Sequence, residues 1–252
     1  MPSAESLQHR PLWKGRALAL VGIVLVAVNL RTAVATMSPI YEQIGQDIVI
    51  TAVVIGLLGM VPPIMFSLAG ILSPRLSRAT GLEWALVIAC LAMVVGPVLR
   101  GFANDATMLG VGTIIALAGA GVGNILIPPA VKKYFPDRIG RMTAVYATIM
   151  SIGATLSPLA AAPATIAIGW RGWLLAWAFI GLACAAPWVA LALAHRRDLR
   201  SGDAMVITHT ALPAPIARSR LAWMLALAHL VPTVSVYAMF AWLPTILVDV
   251  AG

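Results

Sequence analysis

Stretches of about twenty apolar residues recur along this chain, and no other feature limits its fold so tightly. A helix of that length crosses the hydrocarbon core of a bilayer. Seven such spans are predicted: Ala17–Pro39, Thr51–Ser73, Trp84–Leu99 (or as far as Phe102), Thr107–Val131, Met142–Ile168, Trp173–Ala194 and Leu221–Val248. A transmembrane barrel would show alternating segments of about ten residues, and none occur. Of the 252 residues, 61% are hydrophobic and 10% charged, whereas soluble domains carry about 25% charge. The expected fold class is an all-α polytopic membrane protein.

The connections are short except for residues 195–220, a polar stretch containing Pro213 and Pro215. Lysine and arginine fall unevenly about the spans. Arg10, Lys14 and Arg16 precede the first, Arg75 and Arg78 follow the second, and Lys132, Lys133, Arg138 and Arg141 follow the fourth. Arg196, Arg197, Arg200, Arg218 and Arg220 follow the sixth. That places fourteen of the 17 cations on one side, against Arg100 and Arg171 on the other. By the positive-inside rule the N-terminus is cytoplasmic. The formal charge of +8 is therefore an orientation signal, and no nucleic-acid partner is expected. The predicted organisation is a cytoplasmic tail (1–16), six transmembrane helices (17–194), a cytoplasmic loop (195–220) and a seventh helix (221–252).

The remaining cation, Arg31, lies inside the first span. A charge at the bilayer centre costs roughly 2.5–3.5 kcal/mol on insertion scales, so such residues face a water-filled cavity or a packed interior. All nine acids lie in loops or at span ends, which leaves Arg31 without an evident acidic partner. It either bonds polar groups of neighbouring helices or offers its fork of donors to an anion or an electron-rich solute. At 100° per residue, Asn29, Thr32 and Thr36 share one face and Arg31 lies on the other. One polar set binds substrate and the other joins a neighbouring helix; the spacing does not say which.

In span four Gly119, Gly121 and Gly123 permit close helix approach, and Asn124 is polar at mid-depth. Tyr146, Thr148, Ser151, Thr155 and Ser157 form a polar ladder in span five. His229 in span seven is a candidate proton relay or a buried neutral histidine. Cys90 and Cys184 sit in apolar runs with no metal-ligand spacing, so neither a metal nor a cofactor is expected. No HExxH motif and no membrane-embedded carboxylate occur, which argues against an enzyme. A seven-helix retinal pigment is disfavoured because the three lysines, Lys14, Lys132 and Lys133, all lie outside span seven.

Several short motifs occur in a definite order: Asn29-Leu30-Arg31, Gly123-Asn124 before Pro128-Pro129-Ala130-Val131-Lys132, Phe135-Pro136, Gly169-Trp170-Arg171 and Ala241-Trp242-Leu243-Pro244. Together they resemble the cyanate permease family of the major facilitator superfamily, which includes bacterial nitroimidazole transporters. The resemblance implies a secondary transporter of the bacterial inner membrane working by alternating access, with a cavity between two six-helix lobes. It makes Arg31, Asn29, Asn124, Tyr146 and Trp242 the expected substrate-binding residues. The solute would be a small anion or a small polar or heteroaromatic compound, and the lipid bilayer the other partner. At the superfamily's acidic gating position, within Gly70–Gly81, this chain has Pro74. On this resemblance the chain is an N-terminal lobe plus the first helix of a second. Half a facilitator cannot close a cavity alone, so a truncated or partial chain is expected, completed by the missing second lobe or a partner chain. The alternative is a non-transporting membrane subunit or degenerate fragment that acts only by pairing.

Overall fold

A computed structural model describes residues 15–201 and scattered positions between 219 and 239. Its contacts divide the chain into two units, Met1–Arg197 and Asp198–Gly252. The first unit is helical: α1 (Arg16–Ala35), α2 (Tyr41–Asp47), α3 (Ala52–Thr80), α4 (Leu82–Gly101), α5 (Ala106–Tyr134) and α6 (Ile139–Ser201). A short 3-10 turn, Ser38–Ile40, joins α1 to α2. Five of the helices are long and apolar enough to cross a membrane. The longest, α6, runs to 63 residues, about three times what a bilayer needs. It bends back at Gly169, where φ is 71° and ψ 162°, a region that costs a side chain dearly and glycine little. Residues 139–168 and 170–201 therefore form two arms, and the chain is an all-α polytopic membrane protein.

Local chemistry sets the helix ends. Thr51 accepts a bond from the Val54 N–H at 3.3 Å and starts α3. Asp105 does the same for Met108 at 2.8 Å and starts α5. Both side chains satisfy a donor that the first helical turn leaves open. The helices α3 and α5 run on past their apolar runs to Thr80 and Tyr134, through Pro74 and through Pro128-Pro129.

The bundle is organised around α5. Its most apolar stretch is 61% buried, against 17% for α3. Three glycines two residues apart turn to three different helices. A Cβ at Gly119 would stand 2.6 Å from the Ala89 carbonyl oxygen of α4, one at Gly121 2.8 Å from Ala69 Cβ of α3, and one at Gly123 3.2 Å from Leu30 Cδ2 of α1. Without Cβ atoms the backbones close to distances at which dispersion, rather than the hydrophobic effect, holds membrane helices together. The second arm of α6 closes the other side: a Cβ at Gly22 would meet the indole of Trp188 at 2.8 Å. By contrast α3 exposes Val53, Leu57, Met60, Ile64, Leu68 and Ile71, a surface suited to lipid.

In the second unit the described positions from Arg220 to Met239 are helical and exposed. Most of the predicted seventh span lies outside the described residues.

Candidate functional site

The two polar sets of α1 part company. Asn29, Thr32 and Thr36 are all buried. The Asn29 amide donates to Cys184 Sγ on the second arm of α6 at 3.8 Å. The Thr32 hydroxyl donates to the Asn29 carbonyl at 2.9 Å, and the Thr36 hydroxyl to the Thr32 carbonyl at 2.7 Å. This set is thus spent on the helix itself and its neighbour. Arg31 lies on the exposed side of α1, along with Leu20 and Val21. Among the described residues it has no hydrogen bond or ion pair.

Asn124 is exposed as well. It follows Gly123, whose backbone abuts Leu30 and Val26, and Leu30 precedes Arg31. Both exposed polar side chains therefore adjoin, in sequence, the residues at which α1 packs on α5. Their depths differ modestly. The Arg16 Nε donates to the Tyr134 carbonyl at 2.7 Å, which aligns the start of α1 with the end of α5. Counting along each helix at 1.5 Å per residue, Arg31 lies about 22 Å and Asn124 about 15 Å from that shared end.

The first arm of α6 adds a third wall. It packs on α1 where a Cβ at Gly153 would meet the Val28 carbonyl oxygen at 3.3 Å. Tyr146 is half-buried and packs on the main apolar core. Thr148, Ser151 and Thr155 are exposed, although the Ser151 and Thr155 hydroxyls donate to their own helix, to the Ala147 and Ser151 carbonyls. Trp242 and His229 lie outside the described residues.

Polar clusters seal both ends of the bundle. At the end marked by Arg16, that side chain pairs with Asp137, and hydrogen bonding from Arg16 holds the Asp137 carboxyl below the usual carboxylate range. Glu83, buried at the start of α4, accepts from Lys133 Nζ at 2.5 Å and from the Tyr134 hydroxyl at 2.6 Å. The Arg196 guanidinium stacks 4.7 Å from the Trp84 ring. At the other end, Trp170 Nε1 donates to Asp47 at 2.9 Å, and Arg171 donates to the Ala103 carbonyl at 2.7 Å and stacks on Trp170.

Arg100 is more enclosed than its reading as a flanking charge implies. It is expected on the outer side, in a loop beyond span three or, with that span running to Phe102, in its last turn; it lies in the last turn of α4 and is 1% exposed. Its Nε donates to Thr113 Oγ1 of α5 at 3.1 Å and its Nη1 to the Ala33 carbonyl of α1 at 3.4 Å. The reason is packing: Gly96 and Gly112 let α4 and α5 close so tightly that the guanidinium is enclosed between them. A Cβ at Gly112 would stand 2.9 Å from the Gly96 carbonyl oxygen and 3.0 Å from Arg100 Cγ. The sequence signal that could have found it is Gly96, one turn before Arg100, opposite the glycine-rich α5.

No group of three or more His, Cys, Asp or Glu suited to a metal ion occurs among the described residues. Comparison with known proteins adds three findings. The family model described as Major Facilitator Superfamily matches residues 19–252. A 2-nitroimidazole transporter of Escherichia coli (strain K12) is 30% identical over 238 residues, 94% of this chain and 59% of that protein. An uncharacterized transporter, YycB, of Bacillus subtilis (strain 168) is 25% identical over 249 residues, 98% of this chain and 59% of that protein. The chain thus spans 59% of the length of each of these relatives.

Proposed function

Because this chain belongs to the major facilitator superfamily, we propose that it acts in secondary active transport of a small anion or small polar heteroaromatic solute, by alternating access. The observation that carries this reading is Arg31: a cation within an apolar helix, exposed, free of partners among the described residues and beside the α1–α5 crossing that also presents Asn124. Its planar fork of donors suits the paired oxygens of a nitro group or the charge of a cyanate-like ion. The relative named as a 2-nitroimidazole transporter supports the same class of solute.

In this reading Arg31 and Asn124 contact the solute and Tyr146 borders the path. Asn29 contributes from behind, by fixing α1 to the second arm of α6. Trp242 and His229, outside the described residues, are carried as a lining residue and a proton relay. Residues 17–194 are one lobe, 195–220 its cytoplasmic link and 221–252 the first helix of a second lobe. A closed cavity needs the rest of a second lobe or a partner chain. The excess of cations flanking the spans orients the N-terminus to the cytoplasm of a bacterial cell.

The test is uptake of labelled 2-nitroimidazole and of cyanate by cells expressing the gene. Arg31→Ala is expected to reach the membrane at the normal level while its apparent affinity falls ~10- to 100-fold, the equivalent of one charge-assisted hydrogen bond of ~1.5–3 kcal/mol. Uptake kinetics identical to those of the parent protein would remove Arg31 from the site.

A further inference from the structure

At the end of the bundle marked by Arg16, one contact joins two helices without neutralising a charge. The Arg196 guanidinium, near the end of α6, stacks 4.7 Å from the ring of Trp84, in the first turn of α4. Arg196 and its neighbour Arg197 are exposed, and neither has an ion pair among the described residues. The acids whose side chains are described at this end are already engaged. Glu83 is buried under Lys133 and Tyr134, and Asp137 pairs with Arg16 and Arg138. Two guanidinium groups thus stand open at the membrane rim.

Beneath them the same two helices present apolar side chains outward. Trp84, Ile88, Leu91 and Val95 recur at helical spacing on one face of α4, the last three 42–47% exposed. On the second arm of α6, Leu182, Ala186 and Leu193 form an exposed stripe that also carries Arg197. The helices pack closely along this length. A Cβ at Gly181 would stand 3.0 Å from the Met93 carbonyl oxygen, and one at Gly101 2.7 Å from Leu175 Cγ. On α4 the contact with α5, through Ala89 and Gly96, lies to one side of the contact with α6. On α6 the contact with α1, through Trp188, lies to the matching side of the contact with α4. At 100° per residue both apolar stripes fall on the opposite, outward side, so they adjoin along one seam. From Trp84 to Val95 this seam runs about 16 Å, roughly half of the ~30 Å hydrocarbon core and so the depth of one leaflet.

We propose that this corner holds one anionic phospholipid of the phosphatidylglycerol type, in the leaflet at the Arg16 end. The phosphate accepts from the forked donors of Arg196 and from Arg197, the kind of charge-assisted pairing for which arginine is shaped. A choline headgroup would bring its own cation against the same two guanidinium groups. The Trp84 ring holds Arg196 by its face, which lowers the side-chain entropy that binding has to overcome. One acyl chain lies along the seam between the α4 and α6 stripes. The lipid ties the second arm of α6 to α4 on the outside of the bundle, away from Arg31 and Asn124.

The test is native mass spectrometry of the purified chain, released from micelles that contain phosphatidylglycerol and phosphatidylcholine of identical acyl chains in equal amounts. One retained phosphatidylglycerol per chain is expected, with a preference of about tenfold, the worth of one charge-assisted hydrogen bond. Changing Arg196→Gln and Arg197→Gln together should bring the preference close to unity. Arg75→Gln with Arg78→Gln, two exposed cations at the same end, should leave it intact. Should the first double variant fail to fold, Arg196→Lys serves in its place; it keeps the charge but not the fork and should weaken retention several-fold. In thermal scans phosphatidylglycerol should raise the unfolding midpoint saturably, and inorganic phosphate should not. Equal loss in the two double variants would reduce the effect to general basic charge. That result, equal retention of both lipids, or a matching response to inorganic phosphate would each overturn the proposal.

Discussion

Arg31 and Arg100 are both single cations in helices that are otherwise apolar, and the fold treats them in opposite ways. Arg31 lies on the exposed side of α1 with no bond among the described residues, whereas Arg100 is enclosed among α1, α4 and α5. The first has none of its donors bonded among the described residues. The second has already spent two on the protein. A charge in a membrane segment thus says that something unusual is nearby without saying which of these it is. The answer depends on how closely the neighbouring backbones approach, and glycine sets that distance: Gly112 shuts α5 onto Arg100, while Gly123 brings α1 to α5 at Leu30 and leaves Arg31 outside the contact.

Charge reversal should separate the two most sharply. Arg100→Glu would place a carboxylate against the Ala33 carbonyl and bury it unpaired, at a cost of several kcal/mol. No monodisperse peak is then expected in fluorescence-detected size exclusion. Arg31→Glu should give a normal peak, because an exposed substitution moves stability by only about 0.5 kcal/mol. Equal behaviour of the two variants would dissolve the contrast.

A gentler probe acts on the wall rather than the charge. Gly112→Ala would push on Arg100 Cγ and the Gly96 carbonyl, and overpacking of this kind costs about 1–3 kcal/mol. Gly110, on the same helix, has open space where a Cβ would go. There the better helix propensity of alanine should leave the unfolding midpoint unchanged or raise it, by up to about 1 kcal/mol. Thermal scans of the pair would show whether closeness at Gly112 is what holds Arg100 in place.

The smallest effect belongs to a charge at the rim. Asp137, paired with Arg16, has its pKa lowered chiefly by that hydrogen bond. A depressed carboxylate stabilises the fold fully above its unfolded pKa, near 4, and loses that contribution as the pH falls through its folded value. Asp137→Asn should therefore flatten part of the fall in unfolding midpoint between about pH 4 and lower values, while changing little at pH 7. A slope identical to that of the unaltered chain would mean that the pair contributes nothing.

Much of this architecture could be read in advance. Long apolar runs specify membrane helices, and Gly169-Trp170-Arg171 marks the point where α6 breaks into two arms. The angular step of a helix also shows that Asn29 and Arg31 look in different directions. Which direction is inward could not be read, because it rests on Cys184 from a helix 155 residues later. The enclosure of Arg100 was hidden for a related reason. At the end of an apolar run an arginine reads as the start of a loop, and hydropathy averages over the very angles that decide its surroundings.

The contact between Asn29 and Cys184 also bears on how the chain is made. The two residues are separated by 155 positions, and ribosomes add roughly 5–20 residues per second. The helix α1 thus waits about 8–30 s for this partner, with an amide and a guanidinium exposed to lipid. Meanwhile α4 and α5, joined by only the residues 102–105, can pair as soon as both have emerged. Among the described helices α1 is made before the others yet locked late, and a holding factor of the insertion machinery would have most to do there.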